Sequence, residues 1–193
     1  SEPCGWRGDR SGPPTGQMTL QLRKVAARDM DGLFSGFQSE REVLQWAGAA
    51  LSWPLSKREF KGLIKQHRGL EPVREVWAVM SGPDMIGHFQ IGLNRRLKTA
   101  GLGRIAIAPD HRGQGLSAPI MDLILARAFQ HAWVHRVDLL VYSHNAAAIA
   151  AYQSAGLSLE GTRRESTPIG SEIWDTHIMS ILRYEFDKRT ERE

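Results

Sequence analysis

The chain has a single cysteine, Cys4, among 193 residues. One thiol cannot build a disulfide framework within a chain, and such sparing use fits a reducing, cytoplasmic setting. No apolar run reaches the roughly 18 residues that a membrane-spanning helix needs. The first residues lack the charged-then-apolar order of a secretion signal. Aromatic residues make up 8% of the chain. They do not interleave with a dense basic stripe, so direct nucleic-acid binding is not expected. The formal charge of +4 reads as a well-solvated, arginine-rich surface with at most a leaning towards anionic ligands.

What is present suits a globular protein: 41% apolar and 24% charged residues, enough to bury one sizeable core. Residues 1–17, SEPCGWRGDRSGPPTGQ, are rich in glycine, proline and charge and are expected to form a flexible leader or arm. A single folded domain is expected over 18–184, followed by a charged tail, 185–193, that frays. Within the domain, alternation over Thr19–Val25 predicts a strand, and a helix is expected over Asp29–Phe37. Ser39-x-x-Glu42 and Ser56-x-x-Glu59 each have capping-box spacing before apolar residues, which predicts two further helices, the latter reaching about His67. Val73–Met80 and Met85–Leu93 read as a hairpin across Ser-Gly-Pro-Asp. Leu102–Ala108 reads as a strand, Leu116–Ala132 as a largely buried helix, and Val137–Tyr142 as another strand. Ala146–Ala155 is a helix closed by Gly156 in the left-handed capping place. Two last strands are expected over Leu157–Arg164 and Trp174–Leu182. Strand, loop, helix and strand in the middle make a crossover joining parallel neighbours, and hairpins on both sides add antiparallel neighbours, so an α/β (α+β) mixed sheet with helices on its faces follows.

The stretch APDHRGQGLSAPIM, Ala108–Met121, carries the chemistry. Two glycines between a strand and a helix invite an anion onto bare backbone N–H groups. A Walker loop is excluded, because Leu116 and Ser117 follow Gly115 where Lys-Ser/Thr is needed. Gly113, Gly115 and Ala118 do satisfy the dinucleotide fingerprint G-x-G-x-x-G/A, with Asp138 twenty residues beyond Ala118. Yet Pro109–Arg112 separate the strand from the first glycine, and Asp138 lies at the start of its strand where the ribose-binding acid belongs at the end. A coenzyme A diphosphate site needs only a short loop with Arg or Gln, small residues, and a buried helix. Arg112-Gly113-Gln114-Gly115-Leu116-Ser117 fits R-x-x-G-x-(small), and Pro119 is harmless in the first turn of the helix.

Downstream, NAAAIAAYQSAGL, Asn145–Leu157, begins directly after a strand. Here the chain resembles the GCN5-related N-acetyltransferase (GNAT) family, whose motif is N-x-x-A-x-x-x-Y-x-x-x-G-F. Asn145, Ala148, Tyr152 and Gly156 match, and Leu157 replaces the usual Phe. The ending LEGTRRESTPIGSEIWDTHIMSIL resembles the RimJ/RimL-like branch through Glu160, Gly161, Arg164, Glu165, Met179 and Leu182. That branch includes enzymes acetylating protein N-termini as well as polyamine and antibiotic modifiers.

The resemblance implies a GNAT fold, a mostly antiparallel mixed sheet with helices on both faces and a β-α-β acetyl-coenzyme A core. It implies that acetyl-coenzyme A is the co-substrate, its pantetheine running along the backbone of Ile105, Ala106 and Ile107 and its diphosphate on Arg112, Gly113, Gln114, Gly115, Leu116 and Ser117. A backbone N–H near Ile107 stabilises the oxyanion. Tyr152 is the general acid and Asn145 binds pantetheine or an ordered water while capping its helix. Many relatives carry a glutamate base where this chain has Gly101 and Gly103. His88, Glu172 or a water chain are the substitutes. The acceptor is then a primary amine, on a protein N-terminus or a small molecule, and dimers are frequent in the family. Two other readings are open: a sensor that binds the donor without turnover, and a nicotinamide oxidoreductase on the dinucleotide fingerprint. His131 and His135 have i, i+4 spacing but lack a third ligand, so no metal is expected. Trp46, Trp53 and Trp174 are candidates to line an acceptor pocket.

Overall fold

Period-two alternation gives β1, Leu20–Lys24, and a 3-10 turn then leads into α1, Met30–Ser35. The computed structural model describes residues 19–48, 51–65 and 73–191. The expected leader and the expected end of the third helix near His67 lie outside the described residues. Ser39 caps α2, Glu40–Ala47, by accepting from the Glu42 N–H at 3.3 Å. The Glu42 carboxylate reaches one residue further back, accepting from the Gln38 N–H at 2.7 Å. Ser56 caps α3, Lys57–Lys65, accepting from the N–H groups of Arg58 and Glu59. Then follow β2, Arg74–Ser81, β3, Asp84–Asn94, β4, Thr99–Ile107, α4, Ser117–Phe129, β5, Arg136–Tyr142, α5, Ala146–Ser154, β6, Ser158–Ile169, β7, Glu172–Leu182, and α6, Arg183–Thr190.

The seven strands form one mixed sheet in the order β1-β2-β3-β4-β5-β7-β6. The β4–β5 pair is parallel, joined through α4 as the crossover rule requires. The β1–β2, β5–β7 and β6–β7 pairs are antiparallel. The contacts divide the chain into two units: the residues through Gln90 with Arg104–Leu116, and Ile91–Gly103 with the residues from Ser117 onward. In the first unit, Leu33, Phe37, Val43, Val76, Ala78 and Met85 form a buried core against which Trp46 and Ala106 pack. In the second, α4 packs on β5 and α5 and buries Ile120, Met121, Ile124, Leu125, Ala128 and Phe129. Each of the larger of these side chains is worth about 1.5–3 kcal/mol of transfer free energy.

Two expectations need correction. Strand β4 begins at Thr99, three residues before the expected Leu102, because Thr99–Leu102 pairs in register with Arg136–Leu139. Gly101 and Gly103 hide that strand from any alternation test. The charged end does not fray through Thr190. It forms α6, whose Phe186 ring stacks on Phe129 at 4.8 Å. Arg183 donates to the carbonyls of Phe129, His131 and Val134 at 3.0, 2.9 and 2.8 Å, satisfying groups left open where α4 ends. Arg189 pairs with Asp122 at 2.6 Å. Polar composition concealed a docked helix because the guanidinium groups of Arg183 and Arg189 help to hold it.

Candidate active site

In the first unit, β4 ends at Ile107, and Pro109–His111 turn once as a 3-10 helix before the glycines. Ala108 N–H donates to Ile86 O at 2.9 Å, fixing the strand's exit. A Cβ on Gly87 would stand 3.1 Å from Ala106 O, so β3 keeps a glycine where β4 approaches most closely. Arg112 Nε donates to Ile107 O at 2.9 Å and Gln114 Nε2 donates to Asp110 O at 2.7 Å. Both side chains therefore brace the loop. Gly113 and Gly115 have φ of +72° and +73°, and a Cβ on either would meet nothing within 4 Å. These positions demand glycine for backbone conformation and not for lack of room. Left-handed residues alternating with Gln114, which is not left-handed, suit a concave nest of N–H groups, the arrangement that binds phosphate oxygens. Both glycines are exposed, Leu116 is buried and anchors the loop, and the chain passes directly into Ser117, the exposed first residue of α4.

In the second unit, the side chain of Asn145 accepts from the Ala148 N–H at 3.3 Å and caps α5. Its amide NH2 takes no part in that cap. Gly156, with φ +93°, closes the helix as expected. Tyr152 lies on the last turn of α5, and burial pushes its phenol up to about 12. The phenol stays protonated at every physiological pH, the form that a proton donor needs. It is a weaker acid than an ordinary thiol near 8.5.

The candidate bases fare differently. His88 is 1% exposed and lies in the first unit, where burial, above all, lowers it to about 4. Its Nδ1 is 3.0 Å from Arg104 O, which can only accept, so the proton sits on Nδ1 and the ring is neutral. The Trp46 ring meets it edge-on at 5.8 Å. Such an imidazole is a weak base. Glu172 is exposed and accepts from Trp174 Nε1 at 2.7 Å.

Of the tryptophans, Trp46 packs on Phe37 at 4.5 Å, Trp53 is 39% exposed and Trp174 is 5% exposed. Trp174 packs edge-on against Tyr142 and His144 at 4.8 and 4.4 Å, neighbours that no local motif announced. The His131–His135 spacing is not helical, since α4 stops at Phe129. No group of three or more metal-ligating side chains occurs among the described residues.

Two arginine centres were missed in the sequence. Arg136 donates to both oxygens of Glu160 at 2.6 Å and to Asp138 at 3.1 Å, while Ser180 donates to Glu160 at 2.7 Å. Asp138, the acid required by the dinucleotide reading, is thereby engaged. In the first unit, Arg104 and Arg74 both donate to the side-chain oxygen of Gln90.

A family model for the acetyltransferase (GNAT) domain matches residues 19–158. The chain is 26% identical over 113 residues to the L-amino acid N-acetyltransferase AaaT of Escherichia coli (strain K12), covering 58% of this chain and 69% of that protein. It is 30% identical over 88 residues to a spermidine N(1)-acetyltransferase of Vibrio cholerae, covering 46% of this chain and 51% of that one. In three dimensions it resembles the crystal structure of spermidine N-acetyltransferase from Vibrio cholerae in complex with CoA and spermine. The TM-score is 0.75 at 22% identity, over 86% of this chain and 97% of that chain.

Proposed function

The chain belongs to the acetyltransferase (GNAT) family and is an acetyl-coenzyme A-dependent acyltransferase; on that premise we propose that it acetylates a primary amine by direct attack, with Tyr152 as general acid. The observation that carries this reading is the exposed loop with Gly113 and Gly115 in the left-handed region, running straight into α4. In this reading its main-chain N–H groups hold the diphosphate of the donor, with Arg112, Gln114, Leu116 and Ser117 shaping the loop and the backbone of Ile105, Ala106 and Ile107 guiding the pantetheine. Asn145 offers its amide NH2 to the donor while its oxygen holds the helix cap.

The amine nitrogen attacks the thioester carbonyl carbon and the C–S bond breaks. The amine's proton passes to water, and Tyr152 delivers its phenolic proton to the departing sulfur and is reprotonated from solvent. A neutral His88 with its pKa near 4 and glycines at 101 and 103 leave no strong base in the strand positions. That favours an acceptor already partly neutral: an α-amine with pKa about 7.7–8.0 over a lysine near 10.4. A protein N-terminus or a small amine of low pKa meets this requirement.

Thermal shift with acetyl-coenzyme A against NAD, followed by thiol release with a panel of amines, tests the proposal. Stabilisation by acetyl-coenzyme A and amine-dependent thiol release are expected. Stabilisation by NAD alone, or no thiol release with any amine, would overturn it.

A further inference from the structure

The first unit brings two guanidinium groups onto one neutral amide, and among the described residues no carboxylate pairs with Arg104. Arg104 Nη1 donates to Gln90 Oε1 at 2.7 Å and Arg74 Nη1 donates to the same atom at 3.1 Å. One neutral amide oxygen thus receives two guanidinium groups, where folded proteins ordinarily place a carboxylate. Arg104 has no carboxylate partner among the described residues. Asp29 accepts from Nη1 and Nη2 of Arg23 at 2.9 Å, and Glu75 accepts from Trp77 Nε1 at 2.9 Å. His88, whose ring contacts Arg104 O, is neutral.

Two donors in this cluster are buried without an acceptor, Gln90 Nε2 and Arg104 Nε, and Gln90 is fully buried. A buried donor left open is costly and calls for an explanation. Arg104 also has φ +49°, left-handed backbone in mid-strand for a residue with a long side chain. Such a kink re-aims a side chain and is retained where a site requires it. Burial, and then the neighbouring Arg74, pull its pKa down to about 10. The surroundings disfavour its charge, and an arriving anion would relieve them.

We propose that Arg104, backed by Arg74 and Gln90, binds a carboxylate of the acceptor, so that the acceptor is an amino-acid-like amine and not a polyamine. This rests on the reading of the chain as an amine acetyltransferase. The diphosphate is not the anion in question. Arg104 lies three residues upstream of Ile107 on β4, roughly 10 Å at the rise of an extended strand, and the phosphate loop lies further on again. Arg104 therefore stands towards the acyl end of the backbone that guides the donor. A polycation would be repelled there, whereas a carboxylate gains paired, charge-assisted hydrogen bonds and brings its α-amine to a fixed distance.

The test compares acetylation of matched acceptors by thiol release: an α-amino acid, its α-carboxamide, the amine with hydrogen in place of the carboxyl group, and spermidine. Chemistry alone favours the carboxamide, whose amine is less basic. The acid is nevertheless expected to exceed it in kcat/KM by on the order of 10²-fold. Arg104→Gln should shrink that ratio to within about threefold, and Arg104→Lys, a point charge without the fork, should restore part of it. Equal use of acid and carboxamide by the native protein overturns the inference, as does a preference for spermidine or an unchanged ratio in Arg104→Gln. If Arg104→Gln fails to fold, as judged by circular dichroism, the native ratio decides alone. Stabilisation by acetyl-coenzyme A without transfer to any of these acceptors also overturns it. Absence of that stabilisation instead overturns the acetyltransferase reading itself.

Discussion

Arg104 and Arg136 are both partly buried arginines on neighbouring strands of the sheet order, and they are treated in opposite ways. Arg136 faces two carboxylates, and these hydrogen bonds raise its pKa further while holding Glu160 down at about 2. Arg104 faces an amide oxygen and a second arginine, and its pKa falls. A compensated centre is complete as folded and its loss is a loss of stability. An uncompensated one is incomplete until something binds, and its loss is a loss of function. The same side chain thus marks scaffold in one unit and a binding position in the other.

The largest expected effect lies with a group outside both centres. Tyr152→Phe should lower kcat by about 10²-fold or more, the usual weight of a general acid, with acetyl-coenzyme A affinity and thermal midpoint nearly unchanged. Full activity in that variant would remove the phenol from the mechanism. Next, exchanging the two arginines for leucine separates their roles. Arg136→Leu strands Glu160 and should cost about 1 kcal/mol, or roughly 2–4 °C in thermal midpoint for a chain this size. Arg104→Leu should leave the midpoint level or raise it while acceptor turnover falls. Thermal melts beside steady-state kinetics decide the matter, and the reverse pattern would dissolve the distinction.

The smallest effect is in pH dependence. His88 has a folded pKa near 4 against the usual 6.5. The unfolded chain therefore takes up that proton first, and the stability His88 contributes above pH 6.5 is lost as pH falls towards 4. Glu160 is shifted from 4.5 to about 2, so its contribution is present above pH 4.5 and is lost only as pH falls towards 2. Denaturation midpoints followed against pH should flatten in the upper window for His88→Asn and in the lower one for Glu160→Gln. Identical profiles for the two variants would contradict the assignment.

Much of the fold, and the parts of the candidate site that are contiguous in the chain, were legible in the sequence. The glycine loop and the Asn145–Gly156 stretch declare themselves because a turn, a cap and a helix face are written within a dozen residues. The arginine centres were not legible, because Gln90 meets Arg74 and Arg104 from 16 and 14 residues away, once the strands have paired. Glu160 stood out through a family-like run, yet its pairing with Arg136, 24 residues off, needed the sheet. His88 reads from the sequence as a candidate base on a strand, and only burial reveals it as a neutral core residue. Helix α6 was invisible for a further reason: apart from Phe186, it docks through charges that composition reads as solvated.

Titration calorimetry of acetyl-coenzyme A into the native chain, Gly115→Asn and Gly115→Asp tests most directly whether bare main-chain N–H groups at the glycine loop hold the donor. Asparagine tolerates the left-handed backbone of φ +73°, so binding should survive in that variant. The aspartate, alike in shape but negative, should weaken binding by about 10²-fold or more. Equal affinity in all three proteins would contradict the account.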